Sequence, residues 1–278
     1  KRGNTDAADM EAICEAVTRP VMRFVAVKSK EHQAALTLHK NRDLLVRLRT
    51  MLINALRAHL GEYGIVKAQG PAGVNSLLAL VIEAQDAVPV NADPALRSIV
   101  AQFHALVREI EHLVKQILDW HRHDEVSQRL ATVPGIGPIT ASAIAATLPD
   151  ASVSDQAAIR GLVGSDTTTA QFRRQGMTDC ITKQGEGYLR CLLVVGATTV
   201  LRMTRKDHAK QPWLARLLTT KPAKIANVAL ANKTVRIAWA IMSRGEDIDR
   251  SKTTLNERIQ IQMHYHANHR RSTHWSTL

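Results

Sequence analysis

Two short stretches of the 278-residue chain space their residues in ways that chemistry can use. In TDAADM, Asp6 and Asp9 stand three apart, so a helix puts both carboxylates on one face, where they can share a hard cation that takes oxygen ligands. Acidic residues at that place also suit a helix N-terminus and its dipole, so spacing alone leaves both readings open. The second stretch is VPGIGPITASAIAA, residues 133–146. Pro134 should stop one helix and Pro138 suits the first position of the next. Between them, Gly135 and Gly137 permit backbone angles that other residues resist and leave the turn's N–H groups uncovered. An anion is favoured at such a turn by hydrogen bonding and by the helix dipole. Gly135, Ile136, Gly137 and Thr140 are therefore candidate phosphate contacts, with Val133, Ile136 and Ile139 plugging the turn into the core and Ala141, Ala143 and Ala145 keeping the helices close. The competing reading is a turn that serves packing alone.

The charge distribution bears on that choice. Residues 1–159 carry 17 Lys/Arg against 17 Asp/Glu, while residues 160–278 carry 20 against 8, so the net charge of +12 belongs to the C-terminal part. A balanced half joined to a basic half points to a polyanion partner, nucleic acid above all, against a basic surface without a special role. No apolar run approaches the roughly 18 residues of a membrane span, and KRGNTDAADM lacks the apolar centre of a signal peptide. A cytoplasmic protein without a membrane partner is expected. Cys14, Cys180 and Cys191 are odd in number and form no CxxC pair, which excludes a disulfide framework. The chain opens at Lys1 without methionine, and a fragment of a longer protein is expected.

The elements that must position these residues read as mostly α. Residues 1–66 hold an acidic helix with Thr5 or Asp6 as cap, ended by Thr18-Arg19-Pro20, then MRFVAV with strand-like alternation, then a helix from about Ser29 to Leu60 with Leu45, Leu48, Leu52 and Leu56 on one stripe. Residues 67–123 follow the turn-rich AQGPAG and carry Ile99, Phe103, Leu106, Ile110, Leu113, Ile117 and Trp120 in steps of four and three. That is a coiled-coil seam, to be filled either by the 30–60 helix of the same chain or by a second copy in a homo-oligomer. Residues 124–245 contain the glycine turn and most of the basic excess, and 246–278 form a polar tail that is expected to be partly disordered. His264, His266 and His269 in that tail lack the cysteine or carboxylate that would complete a metal shell. In ITKQGEGYLRCLLVVGA, Lys183 and Arg190 flank the start of an apolar helix and can hold a backbone phosphate. In PAKIANVALANKTVRIAWA, Val235, Ile237, Ala238 and Trp239 read as core, with Lys233 and Arg236 as candidates for a nucleic-acid face.

The pattern hPGhGxxxAxxI, with h apolar, resembles the helix-hairpin-helix motif, a sequence-independent binder of the DNA backbone. Taken in order, NTDAADMEAICEA, VPGIGPITASAIAA, ITKQGEGYLRCLLVVGA and PAKIANVALANKTVRIAWA resemble transposases of the insertion sequence one-ten type, relatives of the Piv invertase, over about residues 1–245. The resemblance implies a RuvC-like domain with a DEDD tetrad that binds Mg2+, a coiled-coil insertion, and a C-terminal domain with a serine nucleophile. It further implies DNA transposition and recombination by oligomers through covalent phosphoserine intermediates, in many members guided by a structured RNA, at the bacterial nucleoid. Residues 1–66 then hold the C-terminal remnant of the RuvC-like domain, 67–123 the insertion, and 124–245 the hairpin-bearing transposase domain.

Carried over by position, Asp6 and Asp9 match the last two acids of the tetrad, both catalytic and Mg2+-binding; the first Asp and the Glu should lie upstream of Lys1. The family's serine falls at Gln171 or Phe172 within GLVGSDTTTAQFRRQGMTDC, and neither can attack a phosphodiester. Ser165 and Thr167 to Thr169 offer hydroxyls only after a shift of register. Arg173 and Arg174 replace the glycines that follow the serine and join the candidate DNA contacts. The expected protein is thus a transposase that grips DNA and is impaired in catalysis, against the alternative of a non-catalytic nucleic-acid-binding relative or decayed fragment.

Overall fold

The computed structural model describes residues 6–19, 27–83, 88–148, 186–206 and 211–244. Every regular element among these described residues is a helix. In chain order they are α1 (Asp6–Thr18), α2 (Lys30–Glu62), α3 (Pro71–Glu83), α4 (Asp93–His123), α5 (Glu125–Leu130), α6 (Pro138–Thr147), α7 (Gly187–Lys206), α8 (Pro212–Thr220) and α9 (Ala223–Arg244). The MRFVAV stretch lies outside the described residues except for Val27, as do the histidines of the tail.

The two long helices, α2 and α4, form an antiparallel pair. At one end His32 of α2 meets Trp120 of α4, ring centroids 6.0 Å apart and edge to face. At the other, Leu56 and Leu60 of α2 share a core with Leu96 and Val100 of α4, covered by Leu77, Leu78 and Val81 of α3. The heptad seam is therefore filled from within the chain: Ile110, Leu113 and Ile117 are buried without a second copy. Ser29 caps α2, its hydroxyl accepting the N–H of His32. Asp124 does the same for α5, accepting the N–H of Ser127 at 2.6 Å.

The other end of this pair holds the larger core. Leu130, Val133, Ile136 and Ile144 from α5, the turn and α6 pack with Leu189, Leu193 and Leu201 of α7, Leu214 of α8, and Leu230, Val235 and Ile241 of α9. Each such side chain contributes about 1.5–3 kcal/mol by leaving water, so this cluster, built on short and medium helices, holds the turn in place. α1 stands apart from both cores, with no buried residue and with Met10, Ile13 and Val17 exposed. None of the described helices is long and apolar enough to cross a membrane.

Candidate nucleic-acid interface

The glycine turn joins α5 to α6 as its prolines require. α5 ends at Leu130, Ile136 N–H closes the turn onto Val133 carbonyl at 2.9 Å, and Pro138 is the first residue of α6. The two glycines have different tasks. Gly135 has φ +92, a left-handed conformation that costs other residues about 1–2 kcal/mol. A Cβ on Gly135 would lie 3.1 Å from Val200 Cγ2 of α7, and a Cβ on Gly196 of α7 would lie 1.9 Å from Gly135 oxygen. The turn and α7 thus meet backbone to backbone through a pair of glycines, in a contact that no side chain could occupy. Gly137, by contrast, has an ordinary extended backbone (φ −85, ψ 172), is exposed, and has open space around its missing Cβ.

Gly137 is the N-cap of α6, and no side chain caps that helix. Its carbonyl accepts the N–H of Ala141 at 2.8 Å, while the first turn of α6 carries no carboxylate. Val133 and Ile136 are buried beneath, as the spacing predicts, and α6 is buried from Thr140 to Ala146. An exposed, uncapped helix start beside an open glycine favours an approaching anion. The Thr140 and Ile136 side chains are buried and the Ile136 N–H is taken by the Val133 carbonyl, so what the turn can offer a phosphate is the backbone N–H groups that open α6.

A polar network fixes this turn from behind. His39 of α2 is buried, and its Nε2 lies 3.1 Å from Ser142 Oγ of α6. Ser142 donates to the Pro138 carbonyl at 2.8 Å, in the first turn of α6. The hydroxyl hydrogen being used there, His39 Nε2–H is the donor to Ser142, and the neutral ring accepts at Nδ1 from Tyr188 hydroxyl at 3.1 Å. Burial, aided by the nearby Arg42 guanidinium, pushes the His39 pKa down to about 4. Burial also raises the Tyr188 hydroxyl above its usual range. Arg42 Nη1 in turn donates to Tyr188 hydroxyl at 3.4 Å. One histidine therefore ties α2, α6 and the first turn of α7 together. No sequence signal marks it, since its partners are 103 and 149 residues away.

Of the other candidates, Arg190 is partly buried on the first turn of α7, two residues beyond Tyr188. Arg173, Arg174 and Lys183, and the Gln171 and Phe172 positions, lie outside the described residues. Asp6 and Asp9 sit together in the first turn of α1, both exposed. Among the described residues no group of three or more His, Cys, Asp or Glu side chains gathers to hold a metal. Mg2+ keeps several of its waters and is commonly bound through one or two carboxylates, which is what this exposed pair can supply. Lys233 does not simply face outward: its ammonium lies 4.3 Å from the Trp213 ring centroid, and burial lowers its pKa. Val235, Ile237 and Ala238 are buried as expected, while Arg236 is exposed. Across α7, α8 and α9 there are nine Lys/Arg and no Asp/Glu.

Comparison with known proteins places this arrangement. The family model described as Transposase IS116/IS110/IS902 family matches residues 127–212, from α5 to the start of α8. A putative transposase y4pF/y4sB of Sinorhizobium fredii (strain NBRC 101917 / NGR234) is 43 % identical over 252 residues, covering 88 % of this chain and 64 % of that protein. A probable family 20 transposase of Pseudomonas aeruginosa is 43 % identical over 246 residues, covering 86 % of this chain and 72 % of that protein. A transposase for insertion sequence element IS1328 of Yersinia enterocolitica is 34 % identical, covering 88 % and 73 %. The chain thus spans less than two thirds of the first of these relatives and somewhat more of the other two. By its matched domain and by these relatives over most of its length, the chain belongs to the IS116/IS110/IS902 family of transposases.

Proposed function

We propose that this chain is the DNA-gripping part of an insertion-sequence transposase, and that the turn between α5 and α6 holds a backbone phosphate in the manner of a helix-hairpin-helix. The observation that carries this reading is the division of labour at the turn: Gly135 is locked against Gly196, while Gly137 stays open at an uncapped helix start. Packing alone explains the first glycine and leaves the second without a reason. The carboxylate-free helices α7 to α9 surround the turn with positive potential, and their cations would release counterions on binding.

Gly137→Asp tests this directly. At φ −85 and ψ 172 with nothing near its Cβ, an aspartate fits, caps α6 and complements its dipole. Thermal stability should hold or rise by a few tenths of a kcal/mol, while the new charge repels phosphate and weakens duplex binding about tenfold, or ~1.4 kcal/mol. Unchanged affinity in a titration at low salt, with the fold intact, would remove the turn from the interface.

We further propose that this polypeptide does not complete strand transfer by itself. By the family resemblance Gln171 or Phe172 falls where the family carries its serine, and Asp6 and Asp9 match the last two acids of its tetrad. Purified chain with Mg2+ and a donor duplex should form no covalent protein–DNA adduct; an adduct mapped to Ser165 or to Thr167 to Thr169 would overturn this. A structured guide RNA and a homo-oligomer belong to the same reading, and competition between RNA stem-loops and duplex DNA, with the mass of the complex measured in solution, tests both.

A further inference from the structure

α2 carries a cation that the turn does not account for. Arg42, three residues after His39, is partly buried at the start of α7. Its Nη1 reaches Tyr188 hydroxyl at 3.4 Å, a long hydrogen bond, and its Nε is shielded from solvent without an acceptor. It has no ion-pair partner among the described residues: the adjacent Asp43 is engaged by Arg47 at 3.1 Å. Tyr188, to which it bonds, keeps its proton, and nearby His39 is uncharged near pH 7. A guanidinium partly withdrawn from water beside neutral groups is costly, and an anion from outside would offset that cost. Arginine is suited to the task, because its planar fork matches the oxygens of a phosphate.

The surroundings select the anion. Tyr188 places Arg42 beside the first turn of α7, whose Arg190 is a candidate phosphate contact, and the three helices from there onward have no carboxylate. A polyanion satisfies several of these cations at once. We propose that Arg42 contacts a backbone phosphate of duplex DNA, extending the interface from the α5–α6 turn and the start of α7 onto α2. This rests on the DNA-gripping reading above and adds a residue that neither the charge count nor the family motifs single out.

The test is the salt dependence of duplex binding by the 278-residue chain, using labelled DNA of arbitrary sequence and comparing wild type with Arg42→Met, Arg42→Lys and Tyr188→Phe. Arg42→Met should reduce the slope of log affinity against log salt by about one, the share of one released phosphate counterion. Its thermal stability should hold or rise. Arg42→Lys should recover most of the slope. Tyr188→Phe removes the hydrogen bond but keeps the cation, and should leave the slope unchanged. If wild type binds and Arg42→Met keeps the full slope, the proposal is overturned and Arg42 serves only to prop Tyr188. If the slope is lost with an RNA duplex but kept with DNA, the assignment to DNA is overturned. If wild type shows no salt-dependent binding at all, the DNA-gripping reading itself falls.

Discussion

Gly196→Ala is expected to destabilise the chain by about 3 kcal/mol, at the upper end of what overpacking a closed contact costs. Helix propensity alone predicts the opposite sign, since alanine inside a helix is favoured over glycine by roughly 1 kcal/mol. The added methyl, however, would stand 1.9 Å from Gly135 oxygen, a backbone atom that cannot swing aside. Either α7 withdraws from the turn, opening the core around Val133, Ile136 and Leu193, or the turn gives up its left-handed glycine. For a protein of this size the loss corresponds to a fall in melting temperature of roughly 6–12 °C. A series separates the causes. Gly135→Ala should cost less, about 1–2 kcal/mol for its φ of +92 together with pressure on Val200, and Gly137→Ala should be nearly silent, having open space and an extended backbone. Equal melting temperatures for Gly196→Ala and wild type would show that the two backbones do not meet. The order 196, 135, 137 in cost distinguishes a glycine pair used for approach from a glycine-rich loop used for flexibility.

That contrast also explains which parts of the molecule were legible in its sequence. Helix existence and edges were, because local rules govern them: Ser29 before α2, Thr18-Arg19-Pro20 after α1, Pro138 opening α6, and the four-and-three spacing of α4 all act within one or two turns. The partner of the α4 seam was not, because a heptad stripe states what it needs and leaves open who provides it. The His32–Trp120 contact and the shared core of Leu56, Leu60, Leu96 and Val100 answer that within the chain. Gly196 left a faint trace as a lone glycine inside LLVVGATT, where conformational economy argues for alanine.

At the candidate site the local half was legible and the long-range half was hidden. Gly135 and Gly137 announce a turn through their own chemistry, but their separate roles depend on what α7 brings to one of them. His39, Arg42, Ser142 and Tyr188 look like ordinary helix residues until three helices converge. Lys233 has a contact that a purely linear reading does not show. Its place among cations suggested an outward face, yet Trp213 from α8 lies under its ammonium and gives it a packing role as well.

The convergence on His39 leads to the second large effect, a loss of stability in mild acid. In the folded chain the ring has a pKa of about 4, whereas in the unfolded chain it returns to the ordinary value near 6.5. Between these values the unfolded state binds a proton that the folded state refuses, so stability increases with pH across that window. The contribution is complete above pH 6.5, declines as pH falls, and is lost by about pH 4, amounting to about 3 kcal/mol. Protonation would also turn Nδ1 into a donor facing Tyr188 hydroxyl, so Tyr188 could no longer donate to it. His121, whose pKa burial also lowers, tilts the total in the same direction, and a single profile would mix the two. The difference between wild type and His39→Gln isolates the ring of α2. Glutamine can bond to Ser142 without titrating, so the variant should be less stable by about 1–2 kcal/mol near pH 7 through imperfect geometry, yet flatter below it. The two unfolding free energies should therefore approach and cross between pH 6.5 and 4 in urea titrations. Parallel curves over that interval would mean that His39 accepts a proton in the folded chain as readily as in water, and that the link from α2 to the first turn of α6 is looser than its 3.1 Å hydrogen bonds imply.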